Sequence, residues 1–141
     1  MSTKILVIDD DLAITELMSM LLKTHGFEVF TTNTGVEGVK LAQEKLPNVV
    51  LLDLMMPDLD GWQVSKAIRL FSNVPILILS AINDPGMVAS VLDAGADDFL
   101  VKPVPSSVLV AHIRKMVRQT GSLSGLPVKK NESLVSQPIT P

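Results

Sequence analysis

Short aliphatic runs alternate along the chain with longer stretches in which apolar positions recur every three or four residues. That alternation predicts a parallel sheet covered by helices on both faces. Five strand runs are expected, at Lys4–Ile8, Phe27–Thr31, Val49–Asp53, Val74–Ser80 and Asp98–Val101. Three of them are continuous Ile, Leu and Val, the composition of strands buried on both faces. Between them, Ile14, Leu17, Met18, Leu21 and Leu22 form one helical stripe, closed by Gly26 where a left-handed residue is favoured. Val64, Ala67, Ile68 and Phe71 form another, and Val88, Val91 and Leu92 a third ahead of Gly95. Leu109, Ile113, Met116 and Val117 define the last helix, with Ser106 or Ser107 as its cap. A helix from Gly35 to Lys45 is the weakest, because Gly38 inside it costs about 1 kcal/mol relative to alanine. Mobility is expected there.

The alternation stops near residue 119. From Thr120, glycine, serine and proline replace the periodic hydrophobics, so 1–119 reads as one domain and 120–141 as a flexible tail or truncated linker. A length of 141 residues with 47% hydrophobic content suits one domain with a real core. The chain has no cysteine, which removes disulfides and thiolate metal sites and fits a reducing, cytoplasmic setting. No apolar run approaches the roughly 20 residues of a membrane-crossing helix. A net charge of -3 offers no basic field for a phosphate backbone, so direct nucleic-acid binding by this segment is not expected.

In an open parallel sheet, ligands bind outside the carboxyl ends of the strands. Asp9 and Asp10 follow the first strand, Asp53 ends the third, Ser80 ends the fourth and Lys102 follows the fifth. One rim would therefore gather three carboxylates, a hydroxyl and an ammonium. Clustered carboxylates repel one another unless a cation compensates, and a hard divalent ion such as magnesium or manganese is the usual solution. With such an ion and Lys102 to neutralise phosphoryl oxygens, Asp53 could attack phosphorus, a recognised covalent role for aspartate. Each residue alone has a plainer reading. Asp11 is best taken as the cap of the first helix, Asp58 to Gly61 as an ordinary turn, and Trp62 and the methionines as packing. His25 and His112 lack a second histidine at metal-ligand spacing. Joint placement at successive strand ends is what favours chemistry.

Four motifs occur in order: Lys-Ile-Leu-Val-Ile-Asp-Asp-Asp, Leu-Leu-Asp-Leu-Met-Met-Pro-Asp-Leu-Asp-Gly, Leu-Ser-Ala, and Gly-Ala-Asp-Asp-Phe-Leu-Val-Lys-Pro. Together they resemble the receiver domain of response regulators in two-component signalling, over about residues 3–119. The resemblance implies an α/β, (βα)5, flavodoxin-like doubly wound sheet with strand order 2-1-3-4-5. It implies Asp53 as phosphoacceptor, and Asp9, Asp10, Asp53 and the backbone carbonyl of Met55 as ligands of Mg2+ or Mn2+. Lys102 would bind the acyl phosphate, Ser80 would turn inward to hydrogen-bond it, and Phe99 would be the aromatic switch residue. Met55 and Ile82 would flank the path of the hydrolytic water. A cis bond is implied between Lys102 and Pro103.

The implied partners are a sensor histidine kinase or phosphotransfer protein, together with a homodimer through the fourth helix, fifth strand and fifth helix. Asp97 or Asp98 would there face Arg114 or Arg118 of a second copy, with Val110 supplying apolar attraction. The output is a controlled effector, with transcription a candidate, and the chain is not expected to be an enzyme beyond its own phosphorylation and dephosphorylation. A competing reading is a small phosphohydrolase with an aspartyl-phosphate intermediate. The sequence disfavours it, since Ala13 stands where that motif needs threonine and no cap segment encloses a substrate. A phosphorylation-independent interaction module would not need Asp53, Ser80 and Lys102 together.

Overall fold

The computed structural model describes residues 2–122. The last three of these continue the final helix past residue 119, and the rest of the expected tail lies outside the described residues. Ten elements alternate: β1 (Lys4–Ile8), α1 (Leu12–Thr24), β2 (Glu28–Thr32), α2 (Gly35–Lys45), β3 (Val49–Asp53), α3 (Gly61–Arg69), β4 (Ile76–Ser80), α4 (Pro85–Asp93), β5 (Asp98–Val101) and α5 (Ser106–Ser122). All pairings are parallel, in the order β2-β1-β3-β4-β5. No helix among the described residues is long and apolar enough to cross a membrane.

Side chains alternate across a strand, so each central strand feeds two cores. Leu6, Ile8, Val50, Leu52, Ile76 and Ile78 pack under α2, α3 and α4 with Ala42, Val64, Ile68 and Val91. Ile5, Val7, Val49, Leu51, Leu77 and Leu79 pack under α1 and α5 with Leu22, Leu109, Ile113 and Met116.

The helices start on designed caps. Asp11 caps α1, accepting from the backbone N–H of Ala13 at 2.9 Å and of Ile14 at 3.3 Å, as its plainer reading held. Asp60 and Gln63 form a capping box on α3, and Asp84 caps α4 ahead of Pro85. Gly26 closes α1 at φ 88°.

Several expectations need correction. β2 begins one residue later than expected, at Glu28, and β4 begins at Ile76, since Pro75 has no N–H to contribute to a ladder. α3 ends at Arg69, so Phe71 lies beyond the helix and is partly exposed. Leu17 is 62% exposed, whereas Thr15, on the same helix, is buried. Helix α5 begins at Ser106, with Leu109 N–H donating to the carbonyl of Pro105, so Pro105 occupies the cap position. Gly38 also has a packing role in α2. A β-carbon there would stand 2.5 Å from Ile8 Cδ1, so glycine is what lets α2 approach β1.

Candidate functional site

The parallel sheet carries Asp9, Asp53 and Lys102 to one rim because each follows or ends a strand. The Lys102 ammonium donates to Asp9 Oδ2 at 3.1 Å and to Asp53 Oδ1 at 3.3 Å, tying the ends of β1, β3 and β5. The Lys102–Pro103 bond beside it is cis. Asp9 is buried and also accepts from the Asp11 N–H at 3.0 Å. Asp9, Asp10 and Asp53 can each offer a carboxylate oxygen within 4.8 Å of the others.

Three carboxylates against one ammonium leave the group net negative, at -3 + 1 = -2. The imbalance appears in the acid–base properties of its members. Burial, and then the charge of Asp9, raise the Asp53 carboxyl above its usual range despite the opposing pull of Lys102. Burial alone would lower Lys102, but the charge of Asp53, with the contacts to Asp9, outweighs it and raises the ammonium. The donor set of clustered carboxylates fits a hard divalent cation bound through oxygen.

Other expected residues gather nearby without joining this contact network. Ser80 is buried at the end of β4, where its hydroxyl accepts from the Ile82 N–H at 3.1 Å. Met55 and Ile82 are 50% and 37% exposed on the loops after β3 and β4. Phe99 is partly buried against the core beneath α2, α3 and α4.

Some supporting residues escaped the sequence reading. Asn33 donates to the Asp9 carbonyl at 2.8 Å and to Thr15 Oγ1 at 3.0 Å, anchoring the end of β1 to β2 and α1. Its position just after β2 was the available signal. Asp58 is no ordinary turn residue. It accepts from the N–H groups of Gly35 at 3.0 Å and Val36 at 3.1 Å, fastening the β3–α3 loop to the start of α2. These backbone hydrogen bonds, the one from Gly35 first, hold its carboxyl below the usual range. Trp62 Nε1 donates to Ser90 Oγ at 2.9 Å, linking α3 to α4.

A family model for the response regulator receiver domain matches residues 5–114. The chain belongs to that family. As a receiver domain, it is 42% identical over 122 residues to a "Transcriptional regulatory protein CpxR homolog" of Haemophilus influenzae, covering 86% of this chain and 53% of the relative. It is 41% identical over 117 residues to a "Probable transcriptional regulator ycf27" of Cyanophora paradoxa, covering 83% and 49%. The receiver thus spans about half the length of these curated relatives. Among solved structures it is similar to chemotaxis protein CheY4 of Vibrio cholerae, with TM-score 0.78, 29% identity and coverage of 82% of this chain and 99% of that one.

On the expected dimer face, three residues are otherwise engaged. Val110 is 4% exposed and belongs to the core under α1 and α5, so it has no surface to offer. Asp97 accepts from Arg69 of its own chain at 2.8 Å. Arg114 lies over the Phe27 ring, 5.8 Å from its centroid. Exposed Leu92, Val101 and Val108 are the apolar residues that α4, β5 and α5 present.

Proposed function

We propose that this receiver accepts a phosphoryl group on Asp53 from a histidine kinase or phosphotransfer protein and relays the change through the α4–β5–α5 face. The observation that carries this reading is the Lys102 ammonium held between Asp9 and Asp53, with Asp10 completing an excess of negative charge. A half-buried carboxylate beside other carboxylates is a poor resting arrangement and a prepared nucleophile once cations share the site.

Asp9, Asp10, Asp53 and the Met55 carbonyl would hold Mg2+ or Mn2+, which supplies charge neutralisation of the phosphoryl oxygens. An Asp53 oxygen attacks phosphorus while the P–N bond of phosphohistidine breaks and the imidazole leaves. Lys102 moves from pairing the free carboxylates to pairing the new phosphoryl oxygens. Ser80 exchanges its bond to the Ile82 N–H for one to the phosphoryl group, drawing the β4–α4 loop with it, and Phe99 repacks. The α4–β5–α5 face then favours a homodimer, with Leu92, Val101 and Val108 in contact and Asp98 with Arg118 setting register. The transcriptional names of the relatives support an effector that acts on transcription.

The test is to incubate the chain with a small phosphodonor and magnesium and to locate the added group by mass spectrometry. One phosphoryl group on Asp53 is expected, lost on chelation and in Asp53→Asn. Equal labelling of Asp53→Asn would overturn the assignment. Sustained turnover of generic phosphomonoesters would instead favour a phosphohydrolase.

A further inference from the structure

The loop between Asp53 and α3 is fastened at two places. At its base the Gly61 N–H donates to the Leu54 carbonyl at 2.8 Å, and Met56 is buried in the core. Near its far end the exposed Asp58 carboxylate reaches across to α2. One of its oxygens accepts from the Gly35 N–H at 3.0 Å and the other from the Val36 N–H at 3.1 Å. These are the first two residues of α2, whose own cap, Thr34, accepts instead from the Glu37 N–H at 3.2 Å. Asp58 thus takes up donors that the helix cannot satisfy itself, and its negative charge suits a helix N-terminus. Packing brings the two segments close as well, since a β-carbon on Gly35 would stand 2.6 Å from the Leu59 carbonyl oxygen.

Met55 lies inside this span, one residue past Leu54 and three before Asp58, and its side chain is half exposed rather than anchored in the core. The position of its carbonyl therefore follows the loop. Magnesium demands close to octahedral geometry, with oxygens at roughly 2.0–2.1 Å, so a carbonyl ligand has to be delivered in place. We propose that Asp58 is a positioning residue of the phosphoacceptor site: by clasping the loop to α2 it sets where the Met55 carbonyl stands, and so how tightly the site binds Mg2+. This inference rests on the reading of Asp9, Asp10, Asp53 and the Met55 carbonyl as ligands of a divalent cation. Asp58 acts through the loop and not as a ligand.

Magnesium chloride is titrated by calorimetry into the full chain and its variants, with no phosphodonor present, and each variant is also melted. Asp58→Ala, at an exposed position, should stay folded and bind Mg2+ about tenfold more weakly or worse, the usual scale for groups that hold a metal ligand in place. Asp58→Asn, whose amide oxygen can replace one carboxylate oxygen as acceptor but not both, should fall between Asp58→Ala and wild type. Gly35→Ala changes no charge but pushes against the Leu59 carbonyl, and it should weaken Mg2+ binding likewise. Thr34→Ala removes the cap of α2 and leaves the clasp, so it should lower the melting temperature and keep the affinity. Wild-type affinity in Asp58→Ala would overturn the proposal. So would a loss in Asp58→Ala with none in Gly35→Ala, which would reduce the effect to a missing charge, or an equal loss in Thr34→Ala, which would reduce it to the stability of α2. A wild type that binds no Mg2+ would overturn the metal reading itself, and this inference with it, so the two failures are told apart.

Discussion

The two ends of the sheet each hold a semi-buried ion cluster, and the two are built on opposite plans. At the end away from Asp53, Arg69 donates to the Gly95 carbonyl at 3.0 Å, the Ser72 carbonyl at 3.1 Å and Asp97 Oδ2 at 2.8 Å. That same Asp97 oxygen accepts from the Ile76 N–H at 2.7 Å. One cation meets one anion, and two backbone carbonyls accept from two further guanidinium nitrogens, so burial lowers Arg69 without leaving it unmatched. At the other end Lys102 is shared between Asp9 and Asp53, with Asp10 in excess. The balanced cluster ties α3, β4 and the α4–β5 turn together. The unbalanced one carries an excess of negative charge, and that excess, more than burial or ion pairing as such, separates the proposed phosphoacceptor site from the cluster that holds the fold.

The largest effect should come from breaking the balanced cluster. Arg69→Ala removes the guanidinium that pairs Asp97 and leaves that carboxylate the Ile76 N–H; loss of one partner costs about 3–5 kcal/mol in a fully buried pair, so about 2–3 kcal/mol is expected at this part-buried one. Urea unfolding would measure it, and a loss below about 1 kcal/mol would show that this end resembles an ordinary surface pair. Arg69→Ala protein that remains folded should still be labelled at Asp53.

The next effect concerns the surroundings of the unbalanced cluster. Methionine and isoleucine at positions 55 and 82 give an attacking water no useful hydrogen bond, so loss of the phosphoryl group from Asp53 should be slow. Met55→Asn with Ile82→Glu should restore water-holding groups and shorten the phosphorylated lifetime about a hundredfold, if each restores about 1.4 kcal/mol and the effects add. The decay is followed with saturating magnesium and no kinase. A wild type that decays within seconds, or a mutant no faster, would defeat this reading.

The smallest effect tests the excess itself. Asp53 has its proton affinity raised by folding, so its charge opposes folding as pH rises above the ordinary carboxylate range, and the penalty fades as acid protonates it. Asp53→Asn should therefore melt a few degrees higher than wild type at neutral pH without metal, as about 1 kcal/mol gives in a domain of this size. Lys102 keeps Asp9 as a partner in this variant. The difference should vanish on acidification. Magnesium should reverse it, since a ligand at 100 times its dissociation constant stabilises by about 2.7 kcal/mol and wild type binds it better. An Asp53→Asn melting point equal to wild type at every pH would mean that Lys102 already compensates the cluster.

The unbalanced end was readable in the sequence and the balanced end was not, for a physical reason. Strand ends in a parallel sheet converge on one rim, so Asp9, Asp53 and Lys102 could be brought together from their places after aliphatic runs. Arg69 and Asp97 sit in a helix and a turn, 28 residues apart, and each looks like a solvated charge until the packing of α3 against the α4–β5 turn is known. Periodicity carried the buried strands with little error, because β1, β3 and β5 occur where expected. It failed where a stripe is wider than its buried part. Leu17 and Phe71 share a spacing with core residues yet reach the surface, while Val110 lies next to Leu109 on the wide apolar face of α5 and is buried. The packing role of Gly38 was hidden because a helical penalty is local, whereas the close approach to Ile8 is not.

The hydrogen bond from Trp62 to Ser90 also gives the molecule an optical reporter. The chain contains one tryptophan and no tyrosine, so its near-ultraviolet emission arises from a single indole. That indole is on the second residue of α3, just past the loop that follows Asp53, and its N–H is fixed to α4. Any shift of α4 relative to α3 changes the polarity and hydrogen bonding around this fluorophore. Stopped-flow emission can therefore time the movement of α4 without any attached dye.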